Sequence, residues 1–136
     1  MQNGNVDTRS KIISTEAAVE IARRLKARGG KLTVVTGTFD VLVLAHARHL
    51  SLARNGGRGA LMVVLLPAAD PLLPLAARAE LVAALSMVDY VVTPAEAEIG
   101  QFLQRLEPDQ LISRQTADAE ERLRLIEHVQ RRHSGN

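Results

Sequence analysis

Cysteine is absent from the 136 residues, which removes disulfides, thiolate nucleophiles and cysteine zinc sites from consideration. Tryptophan is absent as well, and one tyrosine with two phenylalanines brings aromatics to 2% of the chain. The core must therefore be aliphatic, and nucleic-acid modules built on stacked aromatics are excluded. An excess of one charge is also missing: 17 Lys and Arg stand against 15 Asp and Glu, a net charge of +2. The short clusters Arg23–Arg24 and Arg131–Arg132 read as solvated helix faces rather than a basic stripe, so no nucleic-acid partner is expected. No apolar run approaches the ~20 residues of a membrane span. The opening MQNGNVDTRS is polar and has no apolar signal core. A cytoplasmic protein without a membrane partner is the expectation.

What is present is an ordinary globular balance of 46% hydrophobic and 24% charged residues, in a length that suits one domain. Residues 1–10 read as a polar tail and 11–136 as a single domain, ordered from about Ile12–Ile13. Ser14 caps a helix to about Arg28, with Glu16 and Glu20 early and Arg23, Arg24, Lys26 and Arg28 late, as the helix dipole favours. Gly29–Gly30 ends it. Lys31-Leu-Thr-Val-Val-Thr36 is a β-branched strand, and Ala45 to Arg54 a second helix. Ala60-Leu-Met-Val-Val-Leu-Leu66 is a continuous apolar run, as in a strand buried on both faces. After a proline-punctuated connection, Leu75 to Met87 reads as a helix and Asp89-Tyr-Val-Val-Thr93 as a strand. Pro94 starts a helix with Ile99, Phe102, Leu103 and Leu106 on its core face. Gln110-Leu-Ile-Ser113 is a short strand, and Thr116 caps a last helix to about His133. Strands alternating with helices predict a Rossmann-like, doubly wound parallel α/β sheet with helices on both faces.

In such sheets ligands bind beyond the carboxyl ends of the strands. The first such end is Val34-Val-Thr-Gly-Thr-Phe-Asp40. Gly37 is expected to let the backbone turn sharply and a phosphate approach the main-chain amides. The next helix start adds N–H groups and a positive dipole end, with His46 placed to hydrogen-bond an anion. Thr36 and Thr38 could offer hydroxyls. Two familiar nucleotide loops do not fit: Gly37 stands alone without G-x-G-x-x-G, and there is no G-x-x-x-x-G-K-[ST].

The stretch Gly37-Thr-Phe-Asp-Val-Leu-Val-Leu-Ala-His46 resembles the G-x-F-D-x-x-H-x-G-H signature of the cytidylyltransferase-like nucleotidyltransferases. Within that group the chain looks like heptose-1-phosphate adenylyltransferases and glycerol-3-phosphate cytidylyltransferases. Lys11-Ile-Ile-Ser-Thr-Glu16 is similar to the heptose enzymes' leader, and Asp70-Pro-Leu-Leu-Pro-Leu-Ala-Ala-Arg78 to their R-P-x-x-P-L-x-x-R. Ala83 to Val92 resembles A-A-L-x-x-V-D-x-V-V, and Leu106-Glu-Pro-Asp109 resembles I-x-P-D. The resemblance implies nucleotidyl transfer. A sugar or polyol phosphate attacks the α-phosphate of ATP or CTP, with Mg2+, and pyrophosphate leaves. Positioning and charge neutralisation do the chemistry, and no cofactor is held permanently. It also implies that His46 is the catalytic residue, that Thr36, Gly37, Thr38, Phe39, His46 and Arg78 contact nucleotide, and that Asp40 braces the loop.

The chain departs from that pattern at several functional positions. The first signature histidine is Val43, which neither donates nor carries charge. The signature glycine is Ala45, and the arginine of R-P is Asp70. The loop after the second strand is too short for the relatives' Lys-Gly contact, and Lys11, Lys26 and Lys31 all precede the signature. From Ser113 onward a charged amphipathic segment replaces the Ser/Thr motif; Arg114 and Thr116 do not reproduce it. Each lost charge-assisted phosphate contact is worth ~1.5–3 kcal/mol.

Plainer roles stand beside these. His46 could cap its helix, His49 three residues on could complete a two-histidine metal site only with Asp40, and no metal is expected. His128 and His133 read as surface residues, Asp89 as structural, and Arg78 equally as an exposed salt-bridge partner. Leu123, Leu125, Ile126 and Val129 would cover the sheet or contact a second copy. The expected function is a catalytically weakened nucleotide-binding homologue, with an active transferase and a structural dimerisation module as alternatives.

Overall fold

A computed structural model describes residues 7–39, 59–68 and 71–113. Asp40, Val43, Ala45, His46, His49, Asp70, Arg114, Thr116 and the expected helices at 45–54 and 116–133 lie outside the described residues, as do Leu123, Leu125, Ile126, His128, Val129 and His133. The described chain runs β1 (Ile12–Ile13), α1 (Thr15–Ala27), β2 (Lys31–Gly37), β3 (Gly59–Leu65), α2 (Leu75–Ala83), β4 (Tyr90–Val92), α3 (Ile99–Leu106) and β5 (Gln110–Ser113). Its strands form one five-stranded sheet in the order β1-β4-β3-β2-β5, and every pairing is parallel. The expected parallel α/β architecture is what the chain adopts. None of these helices is long and apolar enough to cross a membrane.

Three elements differ from the sequence reading. The segment read as tail is structured from Thr8: Thr8–Lys11 closes a 3-10 turn whose cap, Asp7, accepts the Arg9 amide. Lys11 then donates through Nζ to the Leu85 carbonyl at 3.1 Å, a cation against the open end of α2. The next two residues pair with β4, Ile12 opposite Val91 and Ile13 opposite Val92. Two residues are too short to show a period of two in the sequence. The helix expected to reach Met87 ends at Ala83, and the one expected from Pro94 opens with a 3-10 turn at Glu96–Glu98 before α3 begins at Ile99.

β3 explains why the core is aliphatic and two-sided. Successive strand residues face opposite ways. Met62, Val64 and Leu66 accordingly pack with Ala18, Val19 and Ala22 of α1 and Phe102 and Leu106 of α3. Leu61, Val63 and Leu65 pack on the other face with Ala79, Val82 and Ala83 of α2. β2 alternates in the same way: Leu32 and Val34 face α1 and α3, and Val35 faces α2.

The strand starts are pinned by two aspartates used alike. Asp109 accepts the Leu32 amide at 2.7 Å and its own amide donates to the Leu32 carbonyl at 2.9 Å. Asp89 accepts the Leu61 amide at 2.8 Å while its amide donates to the Leu61 carbonyl at 3.0 Å. Each thus satisfies both backbone groups of a residue near the amino end of the neighbouring strand, where the ladder would leave them open. Gly59, at the same end, lies so close to β2 that a Cβ would meet the Lys31 carbonyl oxygen at 1.9 Å.

Candidate functional site

The chain proceeds from β2 to β3 to β4 along one direction of the sheet, then places β5 on the far side of β2. This reversal makes the carboxyl ends of β2 and β5, with Thr36 paired to Ser113, the switch point where α/β sheets bind ligands. The loop leaving β2 is therefore the candidate site on topology alone.

The sharp turn in that loop is not made where the sequence suggested. Gly37 remains in the strand, paired with Leu65, and its carbonyl accepts the Leu66 amide at 2.9 Å. The left-handed residue is Phe39, with φ of 48°. A phenylalanine in that region is strained by about 1–3 kcal/mol. The strain is held by burial, since the ring is 1% exposed and packs with Val35, Leu61 and Leu65.

Arg78 is the second element of the site. Neither an exposed ion pair nor an open side chain is found: it is 3% exposed. Its Nε donates to the Leu73 carbonyl at 3.2 Å, and its Nη1 donates to the carbonyls of Thr38 at 2.9 Å and Leu66 at 3.1 Å. One guanidinium thus ties together the loop after β2, the end of β3 and the turn leading into α2. Arginine suits this task because its planar fork presents several donors at fixed angles. The burial follows from helix spacing: Arg78, Ala79, Val82 and Ala83 all lie on the inward side of α2.

Thr36 is the third element. It continues the Leu32–Val34 face of β2, is 5% exposed, and lines a pocket of about 320 Å³ with Leu66, Pro67, Glu96, Ile99 and Leu103. The described lining contains no Lys or Arg. Thr38 adds its carbonyl to the Arg78 clamp. Of the expected site residues, Thr36, Gly37, Thr38, Phe39 and Arg78 are thus gathered at one end of the sheet, and His46 and Asp40 lie outside the described residues. Glu96 and Leu103 were not among the expected site residues: Glu96 follows the carboxyl end of β4, and Leu103 was read only as a core-face residue of its helix.

The carboxylates with shifted ionisation lie elsewhere. Glu107 is held below the usual carboxylate range by the hydrogen bond from Lys26, at 2.6 Å, and by that ammonium's charge. Asp7 is lowered by hydrogen bonds from Arg9, and Glu16 first by the hydrogen bond from Thr15. All three are exposed, so they report surface pairing rather than a tuned acid or base.

The model of the cytidylyltransferase-like family matches residues 34–118, more than half of the chain. The bifunctional protein HldE of Geotalea uraniireducens is 34% identical over 116 residues, which cover 78% of this chain and 23% of that protein. HldE of Acidiphilium cryptum is 36% identical over 110 residues, 75% of this chain and 23% of that protein. The chain therefore spans about a quarter of the length of the curated relatives it matches. The crystal structure of the lipopolysaccharide core biosynthesis protein from Thermoplasma volcanium superposes with a TM-score of 0.56 at 24% identity, over 61% of this chain and 73% of that one; this likeness is one of fold.

Proposed function

The chain belongs to the cytidylyltransferase-like family, and on that premise we propose that it is a nucleotide-binding member whose capacity for nucleotidyl transfer is weakened. The nucleotide is ATP or CTP, held at the Gly37–Phe39 loop and His46.

One observation carries the reading: the state of Arg78. It is the sole arginine or lysine that the described residues bring to the carboxyl end of β2 and β3, and its Nε and Nη1 are occupied by three backbone carbonyls. Among the described residues only Nη2 is uncommitted, in a residue 3% exposed. Transfer between phosphates relies on cations placed where charge develops, so a cation turned into a backbone brace supplies little of that stabilisation. The sequence points the same way, with Val43 and Asp70 where the family pattern has histidine and arginine. Losing two charge-assisted contacts of ~1.5–3 kcal/mol each slows transfer by two to four powers of ten.

The resemblance to HldE sequences favours an active transferase as the second reading, in which a sugar or polyol phosphate accepts the nucleotidyl group from ATP or CTP.

Calorimetry with ATP and with CTP, each with Mg2+, tests the first reading. Saturable heat that His46→Ala weakens is expected. Heat with neither nucleotide rejects it. A pyrophosphate-release assay with heptose 1-phosphate and glycerol 3-phosphate separates the two: rapid release with either acceptor replaces the weakened homologue with a working enzyme.

A further inference from the structure

The opposite end of the sheet gathers cations. α1 ends at Ala27 just before β2 begins at Lys31, and α3 ends at Leu106 just before β5 begins at Gln110. Both helices therefore finish at the amino end of the strands, away from the loop that leaves β2. Between them lies a cavity of about 230 Å³ lined by Ala22, Arg23, Lys26, Arg105, Leu106 and Glu107. Ala22 and Leu106 are buried, and the four charged residues are exposed.

These charges are unequally engaged. Lys26 holds Glu107 at 2.6 Å. Arg24 pairs with Glu20 at 3.2 Å along α1 and does not line the cavity. Arg23 and Arg105 make no hydrogen bond or ion pair among the described residues; they act on Glu107 and Glu16 through space alone. The pair Arg23–Arg24, read from the sequence as one solvated face, thus divides, with Arg23 directed to the groove. A cation in the last turn of a helix offsets the helix dipole, which accounts for Lys26 and Arg105. Arg23 lies outside the last turn of α1 and has no such task.

We propose that this groove is a phosphate site separate from the loop after β2, with Arg23 and Arg105 as its ligands. The one carboxylate in the lining is already neutralised by Lys26, so two guanidinium charges remain for an incoming anion. A phosphate dianion matches them in charge and in number of acceptor oxygens, because guanidinium forks bind such groups through paired hydrogen bonds. The cavity is smaller than the ~300–1,000 Å³ of most ligand pockets, which favours inorganic phosphate or a small phosphomonoester over a whole nucleotide. Buried Ala22 and Leu106 offer an apolar surface to the organic part of such an ester. The cations are exposed and the helix carboxyl ends oppose an anion, so binding is in the millimolar range. The site does not depend on the nucleotide reading above.

The test follows arginine Nε–H and backbone amide NMR signals of the full chain during titration with inorganic phosphate and with phenyl phosphate. Ionic strength is held constant, since diffuse attraction is screened by salt. Arg23 and Arg105 should shift together and saturably, with a dissociation constant of about 1–5 mM, while Arg24 and Arg28 stay in place. Arg23→Gln and Arg105→Gln, both at exposed positions, should each weaken binding about five- to tenfold. Tighter binding of phenyl phosphate assigns the site to an organic phosphomonoester, and equal binding assigns it to the phosphate group alone. The inference is overturned if Arg23 and Arg105 show no saturable shift, if Arg24 and Arg28 shift as far as they do, or if Arg23→Gln binds as tightly as the parent. Shifts confined to the Gly37 amide would sink this site and leave the nucleotide reading standing. Shifts confined to Arg23 and Arg105 would support it even if ATP and CTP gave no heat.

Discussion

Replacing Arg78 by methionine separates a structural clamp from a phosphate ligand. Methionine keeps an unbranched stem and high helix propensity, so the substitution removes the guanidinium and little else. Three hydrogen bonds from a charged donor are lost, to the carbonyls of Leu73, Thr38 and Leu66. Bonds of this type contribute ~1.5–3 kcal/mol each when fully buried. The bond to Leu66 is buried and counts in full, whereas those to Leu73 and Thr38 are part-buried and water can replace some of their value. The expected loss is about 3–4 kcal/mol, a large fraction of the ~5–15 kcal/mol that holds a domain together. Urea unfolding reads it as a lower midpoint with an unchanged slope. Arg78→Lys, which can reach one or two of the three carbonyls, should recover about 1 kcal/mol. A methionine variant within about 0.5 kcal/mol of the parent, a change typical of open surface sites, would refute the clamp. Weaker nucleotide binding at unchanged stability would instead give Arg78 a direct ligand role.

Three further outcomes follow from the same geometry. Gly59→Ala places a Cβ 1.9 Å from the Lys31 carbonyl oxygen and should cost about 3 kcal/mol or more, as overpacking against backbone does; parent-like denaturation would overturn the Lys31–Gly59 register. Asp89→Ala removes the carboxylate that accepts the Leu61 amide at 2.8 Å and should cost about 1.5–3 kcal/mol, with faster hydrogen exchange at Leu61; unchanged exchange there would refute the pin. The acid limb of stability should involve Asp7, Glu16 and Glu107, whose folded-state pKa values are lowered. Their contribution is full above the ordinary carboxylate range and is lost as pH falls through the lowered folded values. Carboxyl NMR should show Lys26→Met returning Glu107 towards its ordinary titration, and no change would mean that the pair does not persist in solution.

The main features of the sheet were legible because its signals are long or local. The apolar run around Met62 has the length of a strand and is buried on both faces, and the Ser14 cap is realised as an Oγ accepting from the Ala17 amide at 3.1 Å. β1 was not legible as a strand, since Ile12 and Ile13 are two residues whose pairing depends on β4 being alongside. For the candidate site, the sequence marked a loop at the end of a strand and not the contacts made there. Gly37 stands where a turn was expected, yet the left-handed backbone falls on Phe39, because a buried ring can hold a conformation that propensity opposes. Arg78 reads from sequence as a charge for solvent or substrate. Its task became visible only when the fold brought Thr38, 40 residues away, and Leu66 beside the neighbouring Leu73 around it.

The described residues through which this chain resembles its family serve the backbone at both ends of the sheet. Asp89 and Asp109, from the V-D and P-D segments, pin strand starts at the amino end, and Arg78, from the P-L-x-x-R segment, ties backbone loops together. Each answers an accounting demand of the fold, a buried amide or carbonyl that must find a partner, and each keeps its value whether or not a nucleotide ever binds. The departures from the family pattern, Val43, Ala45 and Asp70, lie in the stretches of sequence that follow β2 and β3. A sequence can therefore hold the family's scaffold at full strength while its phosphate chemistry drifts, because the two are carried by different residues.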